Sequence, residues 1–210
     1  MLNDDFGAEE FQRETGVSRE TLNNFRHYEL CIRSWQERFN LVGQKSLESL
    51  WHRHFYDSAQ LIGLWPSTPS SVVDLGTGAG FPGMVLSIMG QPNVELVESS
   101  TKKCLFLSEV AKATNVNVKI TNDRLESSSN EVLADVVTAR ALAPLTKLLG
   151  YVHLRLRPGG TAFLHKGRSI EQELTQAYKD WTMRLHKHPS RTDPTGVVLE
   201  IKDLAPANEK

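Results

Sequence analysis

Apolar residues early in the chain recur at helical spacing. Leu22, Phe25, Ile32, Trp35 and Phe39 share one face of a 3.6-residue period, which predicts an amphipathic helix. Ser18 suits its N-cap, with Glu20 in the first turn. A second helix is predicted to open at Ser46 and to carry Leu47, Leu50, Trp51, Phe55 and Leu61, with Pro66 and Pro69 closing the section. From Ser71 the pattern changes to short apolar runs alternating with helical segments. Strands are predicted over 71–75, 94–98, 116–121, 135–139 and 161–165, and helices over 84–89, 102–114, 144–154 and 170–181. Such βα alternation implies an α/β fold, with a mostly parallel, doubly wound sheet and helices on both faces. Residues 184–188 and 197–201 are expected to pair antiparallel through the turn Asp193-Pro194-Thr195-Gly196. Arg157-Pro158-Gly159-Gly160 reads as a turn and Ser127 to Ser129 as one loop. The expected organisation is an N-terminal helical cap, 1–68, packed on a core, 69–210, as one compact unit.

Composition narrows the class. The 210 residues, 40% hydrophobic and 23% charged, exclude a disordered or collagen-like chain and suffice for a real core. With 24 basic and 25 acidic residues the net charge is -1, so any nucleic-acid role must rest on local patches. Cys31 and Cys104 form no C-x-x-C and read as buried thiols of a reducing compartment. The start, MLNDDFGAEEF, has no basic region followed by an apolar one, so no signal peptide is expected. The uncharged run 75–94 is punctuated by glycine and proline, which argues against a membrane span. A cytoplasmic monomer without membrane contact is the expectation.

The sharpest chemical signal is Asp74-Leu-Gly76-Thr-Gly78-Ala-Gly80-Phe-Pro-Gly83, between a predicted strand and a predicted helix. Glycines there let a ligand approach the backbone closely, and the strand ends of a doubly wound sheet are where nucleotide-like ligands settle. Counted from Gly78, the string fits the dinucleotide fingerprint G-x-G-x-x-G, with Glu98 at the ribose-binding distance. Counted from Asp74, it fits D-x-G-x-G-x-G, the first motif of S-adenosylmethionine-dependent methyltransferases. A plain tight turn needs neither four glycines nor the acid.

Three features favour the second register. Asp74 at the strand end can help position the methionine end of that cofactor, directly or through water, whereas a pyrophosphate would be repelled. Asn122-Asp123-Arg124-Leu125-Glu126 follows the third strand, where class I methyltransferases read adenine. Leu156-Arg157-Pro158-Gly159-Gly160 precedes a strand, as in such enzymes. A carboxylate at Glu98 suits a ribose diol in either register. No P-loop G-x-x-x-x-G-K-[ST] is present, which disfavours nucleotide hydrolysis.

Several strings together resemble the bacterial ribosomal RNA small-subunit methyltransferase G family, also called glucose-inhibited division protein B. They are Phe39-Asn40-Leu41, Arg53-His54-Phe55-Tyr56-Asp57-Ser58, the glycine loop to Gly83, Lys102-Lys103 before Phe106-Leu107, Ala139-Arg140-Ala141 and His165-Lys166-Gly167. The glycine loop alone indicates only a methyltransferase. Its Phe-Pro-Gly ending, combined with Arg-His-x-x-Asp-Ser upstream, is far more specific. Val42 stands where Thr is common and Glu98 where Asp is frequent, and the tail after Trp181 matches nothing. The resemblance implies a class I, Rossmann-like fold and methyl transfer from S-adenosylmethionine to N7 of one guanine in small-subunit (16S) ribosomal RNA. The RNA is expected within a ribosomal subunit or assembly intermediate. The implied cofactor contacts are Gly76, Phe81, Leu125, Glu126 and Arg140, with Glu98 at the ribose.

Other residues have two readings each. His54 and Asp57, three apart on a predicted helix, either line the cofactor or RNA mouth or tie the cap to the sheet. Asn40 is as suited to capping as to contact. The H-x-H pairs, His52/His54 and His186/His188, lack the partners of a metal site. Cys104, beside Leu105 and Phe106, favours packing over nucleophilic attack. Basic residues cluster locally, at Arg33, Arg38, Lys45 and Arg53, at Lys102 and Lys103, at Lys166 and Arg168, and at Arg184, Lys187 and Arg191. Arg140 and Lys166 follow predicted strand ends on the cofactor's rim, where a phosphate grip is expected. N7 of guanine has no proton to lose, so no general base is expected. Arg140, Lys166, His54 and Asp57 are positioning residues in this reading. The rivals are a nicotinamide-dependent oxidoreductase, disfavoured because no hydride-transfer constellation such as Tyr-x-x-x-Lys is found, and a non-catalytic RNA-binding or ribosome-assembly module.

Overall fold

A computed structural model describes residues 6–65, 67–126 and 133–207. Pro66 and the loop expected at Ser127 to Ser129 lie outside the described residues, as do the first five positions. The chain opens with a helix that the periodicity did not separate, α1 (Ala8–Thr15), ended by Gly16 in the left-handed region. Helix α2 (Arg19–Gln36) starts as expected, with the Ser18 hydroxyl accepting from the Thr21 amide at 3.0 Å. It buries Leu22, Phe25, Tyr28 and Ile32. Phe39 lies beyond its end, in a turn.

The single helix expected from Ser46 is instead a broken run. It comprises α3 (Gln44–Glu48), a π-helical turn (Trp51–Tyr56), α4 (Asp57–Ala59) and a 3₁₀ turn (Gln60–Leu64). Trp51, His54, Phe55 and Tyr56 are all buried. On a regular helix the first three share a face, but Tyr56 falls about 140° from Trp51, and a widened turn brings it nearer. π-turns of this kind are frequent at functional sites.

The remaining elements follow the predicted alternation. They are β1 (Val72–Leu75), α5 (Gly83–Ile88), β2 (Val94–Glu98), α6 (Thr101–Thr114), β3 (Val118–Asn122), β4 (Ala134–Arg140), α7 (Leu145–Arg155), β5 (Leu156–Lys166) and α8 (Ile170–Asp180), then β6 (Trp181–Pro189) and β7 (Val197–Pro206). The described strands are ordered β3-β2-β1-β4-β5-β7-β6. The first five are parallel; β7 runs antiparallel to β5, and β6 to β7. The stretch expected as a turn at 157–160 falls inside β5, with a register irregularity opposite Ala134 and Val136.

Strand order reverses between β1 and β4, which opens a crevice at the carboxyl ends of the strands. Register places Asp74 beside Thr138, Glu98 beside Asn122 and Arg140 beside His165, all at that edge. One sheet face packs against the aromatics of the cap, including Phe11, Phe25, Tyr28 and Phe55, in a core continuous with Val72, Leu86 and Phe106. The other face packs against α7 and α8 through Leu145, Leu149, Val152 and Leu174. Cys104 is buried in α6, and Cys31 is half-buried; both are free thiols. No described helix is long and apolar enough to cross a membrane.

Candidate active site

The glycine loop wraps over Asp74. This residue is fully buried, and its Oδ2 accepts from the Thr77 hydroxyl at 2.5 Å and from the Gly83 amide at 2.9 Å. Oδ1 accepts from the Thr138 hydroxyl at 2.9 Å. Burial raises its carboxyl to about 6, against the pull of those three donors. Asp74 is thus directed into the protein. Its carboxylate is spent inside, joining the two ends of the loop to β4.

Gly78 and Gly80 answer different needs. Gly78 has φ +62°, and a Cβ there would point into open space, its nearest atom 3.9 Å away. Gly80, at φ +97°, is instead pressed by the Tyr28 hydroxyl and by Met84. Tyr28 donates to the carbonyl of Ala79, so the cap reaches through to the back of the loop.

In front of the loop lies a cavity of about 430 Å³, lined by Gly76, Gly78, Glu98, Leu125, Glu126 and Ala141 among others. That volume is in the range of small-molecule sites. Glu98 ends β2 and is buried; its Oε2 accepts from the Gly78 amide at 3.0 Å and its Oε1 from the Ser100 amide at 2.8 Å. Glu126 sits on the rim. The Tyr151 hydroxyl at 2.5 Å and Lys147 at 3.1 Å donate to it and hold its carboxyl down to about 2, the Tyr151 bond contributing most. An open approach over a side-chain-free Gly78, a carboxylate on the floor and an acceptor at the far rim fit a nucleoside with a ribose diol and a purine. The site thus gathers Gly76, Gly78, Glu98, Leu125 and Glu126 from three different loops.

Phe81 and Arg140 do not line this cavity. Phe81 is buried behind the loop, its ring 4.7 Å from that of His54 and 5.6 Å from that of Tyr28. Arg140 stacks its guanidinium 4.9 Å over Phe81. Arg140 turns toward the cap because residues 53–57 present acceptors there. Arg140 donates to the Arg53 carbonyl at 2.9 Å and to Asp57 Oδ2 at 3.3 Å, and its Nη2 lies 2.5 Å from His54 Nδ1.

These residues belong to a second cavity of about 460 Å³ that shares Ala141 with the first. It brings together His54, Asp57, Arg140 and Lys166, scattered over 113 positions from 54 to 166. Arginine can only donate, so His54 Nδ1 accepts and the proton sits on Nε2. Burial, reinforced by Arg140, lowers the His54 pKa to about 3, leaving a neutral ring. His165 Nε2 donates to the Asp57 carbonyl at 3.0 Å, and burial lowers its pKa also. Burial opposes the charge on Asp57, yet His165, Arg140 and the Thr192 hydroxyl hold its carboxyl below the ordinary value. Asp57 accepts from Thr192 at 2.6 Å and from Gln60 at 2.8 Å. His54 and Asp57 thus tie the cap to the sheet, and they line this cavity.

Lys166 lines this cavity too. Its ammonium is nearly buried, donating to Glu173 at 2.7 Å and to the Ala143 carbonyl at 2.9 Å. It braces α8 and does not reach outward; the exposed cations near this cavity are Arg53 and Arg168. Asn40 is exposed past the end of α2. Among the H-x-H pairs, His52 packs on Phe6 and Tyr56, away from His54, and His188 Nε2 donates to the Glu200 carboxylate at 2.8 Å. Sequence reasoning missed the β6–β7 loop altogether. Ser190, Thr192, Asp193 and Gly196 form one wall of the second cavity, and only the turn signal at 193–196 pointed there.

A sheet of this order, with a glycine loop after β1, an acid ending β2 and a cavity over the carboxyl edge, defines a class I S-adenosylmethionine-dependent methyltransferase. A glycopeptide N-methyltransferase solved with S-adenosyl-L-methionine shares the fold at TM-score 0.59 and 11% identity, over 71% of this chain and 93% of that one. The sequence model of rRNA small subunit methyltransferase G matches residues 21–193. The ribosomal RNA small subunit methyltransferase G of Rhodospirillum centenum is 47% identical over 96% of this chain and 93% of its own. That of Paramagnetospirillum magneticum is 48% identical over 95% and 97%. The chain belongs to the ribosomal RNA small subunit methyltransferase G family, and S-adenosylmethionine is its cofactor.

Proposed function

We propose that the protein transfers a methyl group to N7 of a guanine in small-subunit ribosomal RNA, acting in the cytoplasm as a monomer on a ribosomal subunit or assembly intermediate. Residues 1–68 serve as a cap and 69–210 as the core in this reading. The observation that supports it is the junction of two cavities at Ala141, with His54 and Asp57 of the second already committed. His54 Nδ1 is taken by Arg140, and Asp57 accepts from Gln60, Thr192 and Arg140. A site so committed suits an acceptor atom with an in-plane lone pair and no proton, which N7 is.

When bound, S-adenosylmethionine supplies a methyl group on a sulfonium. Glu98 would hold the ribose hydroxyls, Gly78 would allow close approach, and Leu125 and Glu126 would hold the adenine. Arg140, His54 and Asp57 would fix the acceptor wall. Positioning of this kind can supply roughly 7–11 kcal/mol of a barrier. Exposed Arg53 and Arg168 would grip phosphates, so RNA binding should weaken with salt despite near-neutral net charge.

The test is radiolabelled methyl transfer to naked 16S RNA, to small subunits and to assembly intermediates, followed by mapping of the product. N7-methylguanosine at one position is expected, together with sedimentation as a monomer. No incorporation into any of the three would favour a non-catalytic assembly role, and methyl on an oxygen or exocyclic nitrogen would overturn the N7 assignment.

A further inference from the structure

One acid in the second cavity is left unexplained by the site described above. Asp193 lies on the β6–β7 loop, half-buried in the cavity wall. Its Oδ1 accepts from both the amide and the hydroxyl of Thr195 at 2.8 Å. No described donor reaches its Oδ2. It forms no ion pair with a described residue, although Arg53 and Arg168 are close enough to help lower its pKa, after the two Thr195 bonds. An anion facing RNA costs affinity. Its place inside a rim of cations therefore calls for a partner that offers donors.

We propose that Asp193 selects the target base, its open carboxylate edge accepting the N1–H and 2-amino hydrogens of a guanine seated in the second cavity. This rests on the N7 reading given above. Guanine alone among the four bases presents two adjacent donors on that edge. Adenine offers an unprotonated N1 there, which would face the carboxylate lone pairs and be repelled. The assignment also suits the charge flow. As the sulfur–carbon bond breaks and the N7–carbon bond forms, the cofactor becomes a neutral thioether and the guanine ring gains one positive charge. That charge strengthens N1–H as a donor, so an anion fixed beside it favours the transition state over the ground state. Asp193 keeps its charge near neutrality, and its lowered pKa makes it too weak a base to strip N1 of its proton.

The experiment compares wild type, Asp193→Asn, Asp193→Ala and Thr195→Val. Each is assayed on small-subunit RNA carrying guanosine or inosine at the mapped position, the latter lacking the 2-amino group. Asp193→Asn keeps an acceptor for Thr195 but turns a donor toward N1–H. It should lower kcat/KM on guanosine RNA by roughly 10- to 100-fold. The wild-type preference for guanosine over inosine should vanish in both Asp193 variants. Thr195→Val, which loosens the loop but keeps the carboxylate, should slow turnover while retaining the preference. Affinity for S-adenosylhomocysteine should be unchanged throughout, and RNA binding by fluorescence anisotropy should show the same loss of preference. An unchanged guanosine-to-inosine ratio in Asp193→Asn, with N7 methylation intact, overturns this assignment alone. Wild-type methylation of an atom other than guanine N7 overturns the function proposed above, and this assignment with it.

Discussion

Replacing Asp74 by asparagine separates a loop-shaping acid from a cofactor-binding one. The folded carboxyl titrates at about 6 against 3.8 for the free group. A raised folded value means that protonation favours the native state. Stability from this group is full below pH 3.8 and is lost as pH rises through 6. At about 1.4 kcal/mol per pH unit, the charge costs roughly 3 kcal/mol at neutral pH. Asparagine removes the titration but keeps the shape. Its oxygen can accept from Thr77 and Gly83 as Oδ2 does, and its amide can donate to Thr138, whose hydroxyl reverses. Urea unfolding of both proteins at pH 5.0 and 7.5 checks this. From the linkage relation, wild type should lose about 1.4 kcal/mol relative to Asp74→Asn between those two pH values. Calorimetry should show S-adenosylhomocysteine binding within about fivefold of wild type, less than 1.4 kcal/mol. Asp74→Ala should instead lose about 1–3 kcal/mol of stability, because the buried Gly83 amide is left without a partner. A stability difference independent of pH refutes the buried-acid account. A folded Asp74→Asn protein that no longer binds cofactor refutes the loop-shaping role.

Gly78→Val should fold, with about 1–3 kcal/mol of backbone strain at φ +62°, but should fail to bind S-adenosylhomocysteine by calorimetry. Full affinity would remove Gly78 from the cofactor wall. Lys166→Ala should destabilise the protein by about 2 kcal/mol in denaturant titration, because Glu173 loses its ion pair. Adding Glu173→Gln should restore part of this, an outcome not expected of a cation that only grips RNA. The single-turnover methyl-transfer rate should be level from about pH 6 to 9, since His54 is neutral, with a pKa near 3. A rise through a protein pKa in that window, abolished by one substitution, would establish a general base.

The parallel strands were legible because buried parallel strands are continuous apolar runs, and the glycine loop because its spacing has few other uses. Glu98, Leu125 and Glu126 could be placed from their distance to a strand end, since all strand ends share one edge of the sheet. What that reasoning lacked was side-chain direction. Asp74, Phe81 and Arg140 stand at or just past strand ends, and sequence cannot say whether each turns toward the open crevice or back into the protein. All three turn inward, because Thr138, Tyr28 and the carbonyl of Arg53 await them there. The direction of Lys166 was hidden for the same reason, as its partner Glu173 comes from the next helix. The short α1 escaped notice because it buries only Phe11, too little for a period. The loop at 190–196 carries no apolar pattern at all, so its approach to Asp57 could come only from the pairing of β6 with β7.

Arg140 is where these threads meet. It leaves the sheet at the end of β4, crosses Phe81 of the glycine loop and ends on two groups of the π-helical turn and on Asp57, which opens α4. Asp57, which receives it, is bonded also to Thr192 of the late loop and approached by His165 of β5. Burying such a network gains little net stability, since desolvation offsets much of the attraction. Its value is positional. A guanidinium with several fixed acceptors has one orientation, and lysine could not reproduce it. The cap, the cofactor loop and the β6–β7 loop are thereby held in one register around the second cavity. The broken run has its place in this network: it buries Trp51 and Phe55 in the cap while presenting the Arg53 carbonyl, His54 and Asp57 to Arg140.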